Sequence, residues 1–86
     1  MNCFVYLIQS RTDKSFYVGI SEDPEKRLVE HNSGKTKSIS KKRPYSLIYK
    51  KEYPDRNLAR KHEIWLKKKG VDYKSKLAQI SRKQDT

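Results

Sequence analysis

Cysteine, glycine, proline and long apolar runs are all scarce in this sequence, and each scarcity excludes a class of protein. The 86 residues include one cysteine, three glycines and three prolines, and 34% of them are hydrophobic. The lone Cys3 cannot form an internal disulfide, which excludes the disulfide-stapled secreted class and favours a reducing compartment. No stretch approaches the roughly 20 consecutive apolar residues of a membrane span, and no charged leader precedes a cleavage site. We therefore expect a soluble, unprocessed cytoplasmic protein without a membrane partner, built as a single domain over residues 1–86.

Acidic residues are also few. The chain has 21 Lys and Arg against 10 Asp and Glu, which gives a formal net charge of +11. Such an excess opposes compaction and is typical of proteins with a polyanionic partner, among which nucleic acid is the leading candidate. A merely well-hydrated surface and an anionic membrane are the alternatives, and the membrane is the weakest because no segment forms a basic amphipathic peptide with one bulky apolar face.

The hydrophobic pattern predicts a hairpin followed later by a third strand. Residues 3–8 form a run of six apolar or aromatic residues that is rich in strand formers and too short for an average helix. Residues 16–20 are again β-branched and aromatic, and a polar turn at 10–15 joins the two runs. Residues 45–53 predict the third strand. Gly19 predicts a bulge or a close approach inside the second strand.

Helix start signals and an apolar periodicity predict three helices. Asp23-Pro24 predicts the start of a helix over 25–33, with Gly34 as its C-terminal stop. Pro54-Asp55 precedes a second helix over 56–69, in which apolar and aromatic residues recur on one side. The residues of this predicted buried side are Leu58, Ala59, His62, Trp65 and Leu66. A third helix is expected over about 73–81, and the basic segment 35–43 is expected to be an exposed, mobile loop.

Tyr6 and Tyr17 are the first candidate functional residues. Each lies in the middle of a predicted hairpin strand, where its hydroxyl must point to one face of the sheet. If the hairpin loop contains an even number of residues, both hydroxyls point to the same face. The alternative is that both are amphipathic core residues, each with one polar partner.

Arg27 and His31 are the next candidates, because a spacing of i, i+4 places them on one face of the first helix. A guanidinium at this place can grip a phosphate with two hydrogen bonds. The alternative is an ordinary solvated helix surface.

Glu63 is the candidate metal ligand. Basic residues flank it, yet its helical spacing to Ala59 and Leu66 places it beside the predicted buried stripe. A carboxylate beside the core can bind a hard cation such as Mg²⁺. The alternative is an i, i+4 ion pair between Glu63 and Lys67.

The order and spacing of these residues carry a family resemblance. A strand with Phe4-Val5-Tyr6, a second strand with Tyr17-Val18-Gly19, a helix with Arg27 and a later helical glutamate resemble the GIY-YIG nuclease superfamily. The first motif keeps only its tyrosine, whereas the second is nearly intact. Residues 27–34, the basic loop, Arg43-Pro44 and residues 47–49 are similar to the small stand-alone UPF0213 or YhbQ-like group. The motif-bearing part extends over about residues 3–70.

The resemblance implies an α+β fold, a small three-stranded antiparallel sheet flanked by helices, with a phosphodiesterase site on one sheet face. It implies that Tyr6 and Tyr17 line the site and that one of them acts on the attacking water. Which of the two does so stays open. It further implies that Arg27 contacts the scissile phosphate and that Glu63 holds a single Mg²⁺ or Mn²⁺ ion, while His31 matches a histidine found in part of the superfamily. The expected function is metal-dependent endonucleolytic hydrolysis of DNA, with the substrate chosen by its shape. Contacts to the DNA backbone are expected from Lys35, Lys37, Lys41, Lys42 and Arg43.

Other functions remain as alternatives. Many members of the superfamily carry an asparagine downstream of the glutamate, and this chain has none after Asn57. A non-catalytic DNA- or RNA-binding module on the same fold is therefore the second hypothesis. A protein–protein adaptor would need an exposed apolar patch, which the sequence pattern does not indicate. A zinc site is disfavoured because Cys3, His31 and His62 lack ligand spacing.

Overall fold

Six elements make up the part of the chain that the computed structural model describes, which is residues 2–34 and 42–84. In chain order they are β1 (Cys3–Ser10), β2 (Phe16–Ser21), α1 (Pro24–Asn32), β3 (Tyr45–Tyr53), α2 (Arg56–Lys67) and α3 (Val71–Gln84). The strands form one antiparallel sheet in the order β2-β1-β3. The predicted α+β fold with a three-stranded antiparallel sheet is therefore confirmed. Within the described ranges, no helix is both long and apolar enough to cross a membrane.

The two faces of the sheet pack against different helices. β1 is the central strand and is covered on both faces, as its continuous apolar run predicts. The core on the α2 side comprises Cys3, Val5, Leu7, Val18, Ala59 and Leu66. The core on the α1 side comprises Tyr6, Ile8 and Tyr45, with Tyr17, Leu28 and Leu47 packed against them. Because side chains alternate along β1, the sheet separates an aliphatic core from a tyrosine-rich one.

Most element ends differ from the predicted ones by one to three residues. β1 continues through Ser10, because Gln9 and Ser10 still pair with the start of β3. α2 ends at Lys67, before the predicted end at 69. α3 runs from Val71 through Gln84, so it extends beyond the predicted 73–81 at both ends.

α2 turns only part of its predicted apolar side toward the sheet. Its buried residues are Ala59, Glu63 and Leu66, whereas Leu58 and Trp65 are 40% and 45% exposed. The prediction that Leu58 and Trp65 lie on the buried side is therefore wrong. The physical reason is that the stripe with Leu58 and Trp65 lies about 100° around the helix from the stripe with Ala59 and Leu66. Apolarity alone does not choose which of these neighbouring stripes faces the sheet. The small Ala59 is fully buried, so the stripe that contains it faces the sheet.

α1 is fixed at both ends by side-chain hydrogen bonds. The Asp23 carboxylate accepts from the Lys26 backbone N–H, as the predicted N-cap requires. At the other end, Asn32 Nδ2 donates to the Tyr45 carbonyl at 3.1 Å, and the Tyr45 N–H donates to Asn32 Oδ1 at 2.6 Å. Gly34 follows with a φ of +86°, the left-handed conformation expected of a glycine stop. This Asn32–Tyr45 clamp ties the helix to the start of β3.

The lack of a side chain at Gly19 lets the Tyr6 ring approach the backbone closely. Gly19 pairs with Tyr6 across the hairpin, and the Tyr6 ring occupies the space that a side chain at Gly19 would take. A Cβ added there would lie 2.5 Å from Tyr6 Oη and 2.6 Å from Tyr6 Cζ. The predicted close approach is therefore confirmed, and the irregularity in strand pairing lies instead between Leu7 and Ile8, where β1 meets β3.

Gly19→Ala is expected to lower the free energy of unfolding by about 1–3 kcal/mol, because the buried Tyr6 ring must shift to admit the methyl group. The measurement is urea unfolding followed by circular dichroism. Gly70→Ala is the matched control, since a Cβ at Gly70 meets no atom of the described residues within 4 Å. The control should change stability by less than about 0.5 kcal/mol, and an equally small effect at Gly19 would contradict the close approach.

Candidate functional site

A hydrogen bond between two buried side chains lies at the centre of the α1 face. Tyr6 Oη lies 3.1 Å from His31 Nε2, and the side chains are 2% and 0% exposed. The alternative that His31 belongs to a solvated helix surface is therefore excluded. His31 lies one turn after Arg27 on the side of α1 that packs on the sheet, and the exposed neighbour Val29 takes the outward position instead.

Tyr17 joins this pair from the neighbouring strand. Its ring centroid lies 6.5 Å from that of Tyr6 and 5.2 Å from that of His31. Six residues, 10–15, separate the paired positions Gln9 and Phe16, so the hairpin satisfies the even-number condition. Both tyrosines therefore lie on the same face of the sheet, although Tyr6 is buried and Tyr17 is only partly so.

Arg27 lies beside the Tyr6 hydroxyl and keeps part of its side chain in solvent. Its Nη1 donates to Glu30 Oε2 at 2.9 Å, and 39% of the Arg27 side chain remains accessible. An open depression lies next to it at the start of α1. The residues that line the depression are Ile20, Ser21, Glu22, Asp23, Lys26, Arg27, Glu30 and Arg56. Arg27 therefore connects the buried Tyr6–His31 pair with a surface that an anion can reach.

Burial sets the protonation of both members of the pair. It raises the pKa of Tyr6 to about 12, and the charges of Tyr17 and Glu63 add to the rise while Arg27 opposes it. Burial together with the Arg27 charge lowers the pKa of His31 below its ordinary 6.5, against a smaller opposing effect of Glu30. Both groups are therefore neutral at pH 7. His31 Nδ1 is buried and has no hydrogen-bond partner among the described residues, so only Nε2 is engaged.

Glu63 approaches this cluster from α2, on the other side of the sheet. It is 8% exposed, and its charge contributes to the raised pKa of Tyr6. Lys67 Nζ lies 3.5 Å from one carboxylate oxygen, and Arg60 Nη1 lies 4.0 Å from the other. The ion pair with Lys67, which the sequence left as an alternative to metal binding, is thus present.

Comparison with known proteins decides the family. The sequence profile of the GIY-YIG catalytic domain matches residues 2–76. The chain belongs to the GIY-YIG family. A UPF0213 protein, YsiG of Lactococcus lactis, is 41% identical over 78 residues, which cover 90% of this chain and 73% of that protein. The UPF0213 protein SERP0126 of Staphylococcus epidermidis is 34% identical over 77 residues, covering 88% and 93%.

A solved structure supports the similarity to UPF0213 proteins. The NMR structure of the UPF0213 protein BH0048 from Bacillus halodurans aligns with a TM-score of 0.56 at 28% identity, covering 93% of this chain and 85% of that one. The family points to a nuclease superfamily with a nucleic acid substrate and a general use of divalent metals. The predicted resemblance to the UPF0213 group is therefore confirmed.

Glu63 fits a metal that takes few protein ligands. No group of three or more His, Cys, Asp or Glu side chains converges in residues 2–34 and 42–84, so Glu63 would act without further ligands of these types there. Mg²⁺ is commonly held by one or two carboxylates and completed by substrate phosphate and water. The Lys67 and Arg60 side chains are 56% and 65% exposed, whereas the Glu63 side chain is 11% exposed, so water can solvate either cation when it parts from the carboxylate. Both cations can therefore leave the carboxylate.

Lys42 and Arg43 are the two of the five predicted DNA-contacting residues that lie in the described part of the chain. Lys42 pairs with Asp13 at 3.8 Å, and the Arg43 guanidinium lies against Gly34, just past α1. Both residues are exposed, and Arg43 lies near the C-terminal end of α1. Lys35, Lys37 and Lys41 lie outside the described residues.

Sequence reasoning missed three basic or aromatic residues near the site. Tyr45 places its ring centroid 6.4 Å from that of His31, and Lys26 and Arg56 line the depression beside Arg27. The signal for Lys26 was its position next to Arg27 in α1. Arg56 carried no local signal, because it reaches the depression from the first residue of α2.

Tyr6→Phe is expected to lower the free energy of unfolding by about 1–3 kcal/mol, because it leaves the buried His31 without its hydrogen-bond partner. Tyr17→Phe is the matched control, since the Tyr17 hydroxyl makes no hydrogen bond within the described residues. It should cost less than about 0.5 kcal/mol. Urea unfolding of both variants checks this, and equal losses would show that the Tyr6–His31 bond is not the source.

Proposed function

We propose that this GIY-YIG protein is a divalent-metal-dependent endonuclease that hydrolyses DNA phosphodiester bonds and selects its substrate by structure. The observation that carries the proposal is the convergence of Tyr6, His31 and Arg27 on one sheet face, with the Glu63 carboxylate near enough to influence Tyr6. A neutral tyrosine–histidine pair beside a partly exposed guanidinium is suited to activating water next to a phosphate.

Arg27 is proposed to bind the scissile phosphate. Its guanidinium is held in place by Glu30 yet remains 39% exposed, so it can offer N–H groups to a phosphate oxygen. Additional negative charge develops on the phosphate oxygens in the transition state, and a fixed cation stabilises that charge more than the ground state.

Tyr6 and His31 are proposed to remove the proton of the attacking water together. With a pKa of about 12, only about one Tyr6 hydroxyl in 10⁵ is ionised at pH 7, so Tyr6 alone is a poor base. Neutral His31, in the tautomer whose Nε2 is unprotonated, can accept the Tyr6 proton while Tyr6 takes one from water. Tyr17 is proposed to orient that water, because its ring packs against the pair and is partly open to solvent.

Glu63 is proposed to hold a single Mg²⁺ or Mn²⁺ ion together with a substrate phosphate and water. When bound, the ion neutralises charge on the phosphate and on the leaving oxygen. The Glu63 carboxylate must first release Lys67, whose ammonium lies 3.5 Å away. The freed lysine is then a further cation for the DNA backbone, beside the proposed contacts from Lys35, Lys37, Lys41, Lys42 and Arg43.

A non-catalytic DNA- or RNA-binding module is the second candidate. The observation that favours it is the pairing of Glu63 with both Arg60 and Lys67, which is what a carboxylate without a metal needs. The missing downstream asparagine agrees with this candidate. It predicts salt-sensitive binding without a metal-dependent product.

Glu63→Gln is expected to lower the rate of DNA cleavage by at least about 100-fold, because the amide is a weaker ligand for a hard cation. The assay incubates labelled single-stranded, duplex and branched DNA with and without Mn²⁺. Glu52→Gln is the matched control, since Glu52 is exposed on β3 and bonds only Asn2 in the described chain; it should cleave normally. Unchanged cleavage by Glu63→Gln overturns the assigned metal site, and no cleavage by the unmodified protein favours the binding module.

The cleavage rate is expected to fall in acid, at a pH that lies below the ordinary imidazole pKa of 6.5. The pKa of His31 lies below that ordinary value, so His31 is neutral at higher pH and loses its acceptor only once acid protonates it. A plot of log kcat/KM against pH checks this. His31→Ala should lose both most of the activity and this acid limb, and a variant that keeps the same limb would show that another group titrates.

A further inference from the structure

A second surface rich in aromatic rings lies on the opposite face of the sheet from Tyr6 and Tyr17. It is formed by Tyr53, His62, Trp65 and Tyr73, and is called the Trp65 surface here. Tyr53 pairs with Cys3 in the sheet, so its side chain lies on the α2 side. The ring centroids of His62 and Trp65 are 5.7 Å apart, and those of Trp65 and Tyr73 are 5.5 Å apart. The rings thus form a continuous row from β3 across α2 to α3.

The outer rings of this row are exposed. Trp65 and Tyr73 are 45% and 38% exposed, which is unusual for two large aromatic rings in contact on so small a protein. Only the inner members of the row contribute to the fold. Tyr53 packs against the core, and a hydrogen bond of 3.0 Å joins its hydroxyl to His62 Nδ1. Trp65 and Tyr73 extend beyond what the core requires.

Lysine side chains accompany the rings. The Lys69 ammonium lies 4.6 Å from the Trp65 ring centroid and 5.9 Å from that of Tyr73, and the Lys51 ammonium lies 5.7 Å from the Tyr53 ring. Lys69 also lines an adjoining groove with Lys14 and Lys74. Asp13 is the acidic residue of that groove, and its carboxylate accepts hydrogen bonds from Ser15. Rings and cations therefore alternate along one surface.

We propose that the Trp65 surface binds single-stranded nucleic acid by stacking bases on Trp65 and Tyr73 while Lys51, Lys69 and Lys74 contact the phosphates. Surfaces that bind single strands combine aromatic faces for bases with cations along the backbone. The charge complementarity argues for this occupant over an apolar protein partner, because the lysines that border the rings would be left unpaired in an apolar interface.

Lys69 does not block this binding. Its ammonium covers a face of Trp65, but an exposed cation–π contact is weaker than the stacking of a base on the same ring. A base can displace the flexible lysine, which then lies beside the incoming phosphate. Because the surface and the Tyr6–His31 pair lie on opposite sheet faces, stacking here does not depend on cleavage.

The fluorescence of Trp65 provides a direct test, since Trp65 is the only tryptophan of the chain. A 20-nucleotide oligo(dT) is titrated into the full-length protein in EDTA, where metal-dependent cleavage cannot occur. Stacking should quench the emission of Trp65. An abasic oligonucleotide of equal length and charge should leave it nearly unchanged. Equal quenching by both strands, or quenching by neither, overturns the proposal.

Variants separate stacking from general attraction to charge. Trp65→Ala should weaken binding of labelled oligo(dT), measured by fluorescence anisotropy, by about 5- to 100-fold, and Trp65→Phe should recover part of it. Ile64→Ala is the matched control, because Ile64 is 46% exposed on the same helix and should bind normally. If Trp65→Ala binds as tightly as Ile64→Ala, the strand binds elsewhere and the proposal is wrong. Cleavage by Trp65→Ala and binding of oligo(dT) by Glu63→Gln are measured separately. Failure of the single-strand proposal can therefore be distinguished from failure of the proposed nuclease function.

Discussion

The packing of the Tyr6 ring over Gly19, with its hydroxyl bonded to His31, is the constraint on which the rest of the site depends. The absent side chain at Gly19 gives the ring its place, and the buried imidazole gives its hydroxyl a partner. This contact joins both hairpin strands to α1. It also removes Tyr6 from water, which raises its pKa to about 12 and makes a partner base necessary for any role in catalysis.

Local signals in the sequence predicted the elements well, because turns, caps and strands are specified by neighbouring residues. Asp23, Pro24 and Gly34 marked α1 nearly to the residue, and the apolar run of β1 indicated a strand buried on both faces. The common face of Tyr6 and Tyr17 followed from the length of the hairpin loop.

Choices between neighbouring helix faces were not predictable from pattern alone. The outward position of Trp65 and the full burial of His31 depend on how each helix rotates against the sheet, and polar and apolar residues occupy both candidate stripes. The position of Arg56 was not predictable from local pattern either, since it reaches the depression beside Arg27 from an element that is distant in sequence. The roles of the site residues rest on the family resemblance and on this geometry together.

The sheet order also constrains how the protein folds. β1 lies between β2, which follows it after a short loop, and β3, which follows only after α1 and the basic segment. The local hairpin can therefore form early and place Tyr6 over Gly19, while the second edge of β1 keeps unpaired backbone groups until β3 arrives. The Asn32–Tyr45 clamp joins α1 to β3 at the first residue of that late strand. The clamp thus ties the helix that carries the buried His31 to the strand that covers the second edge of β1, so the contact that completes the site also protects a backbone edge that could otherwise pair with another chain.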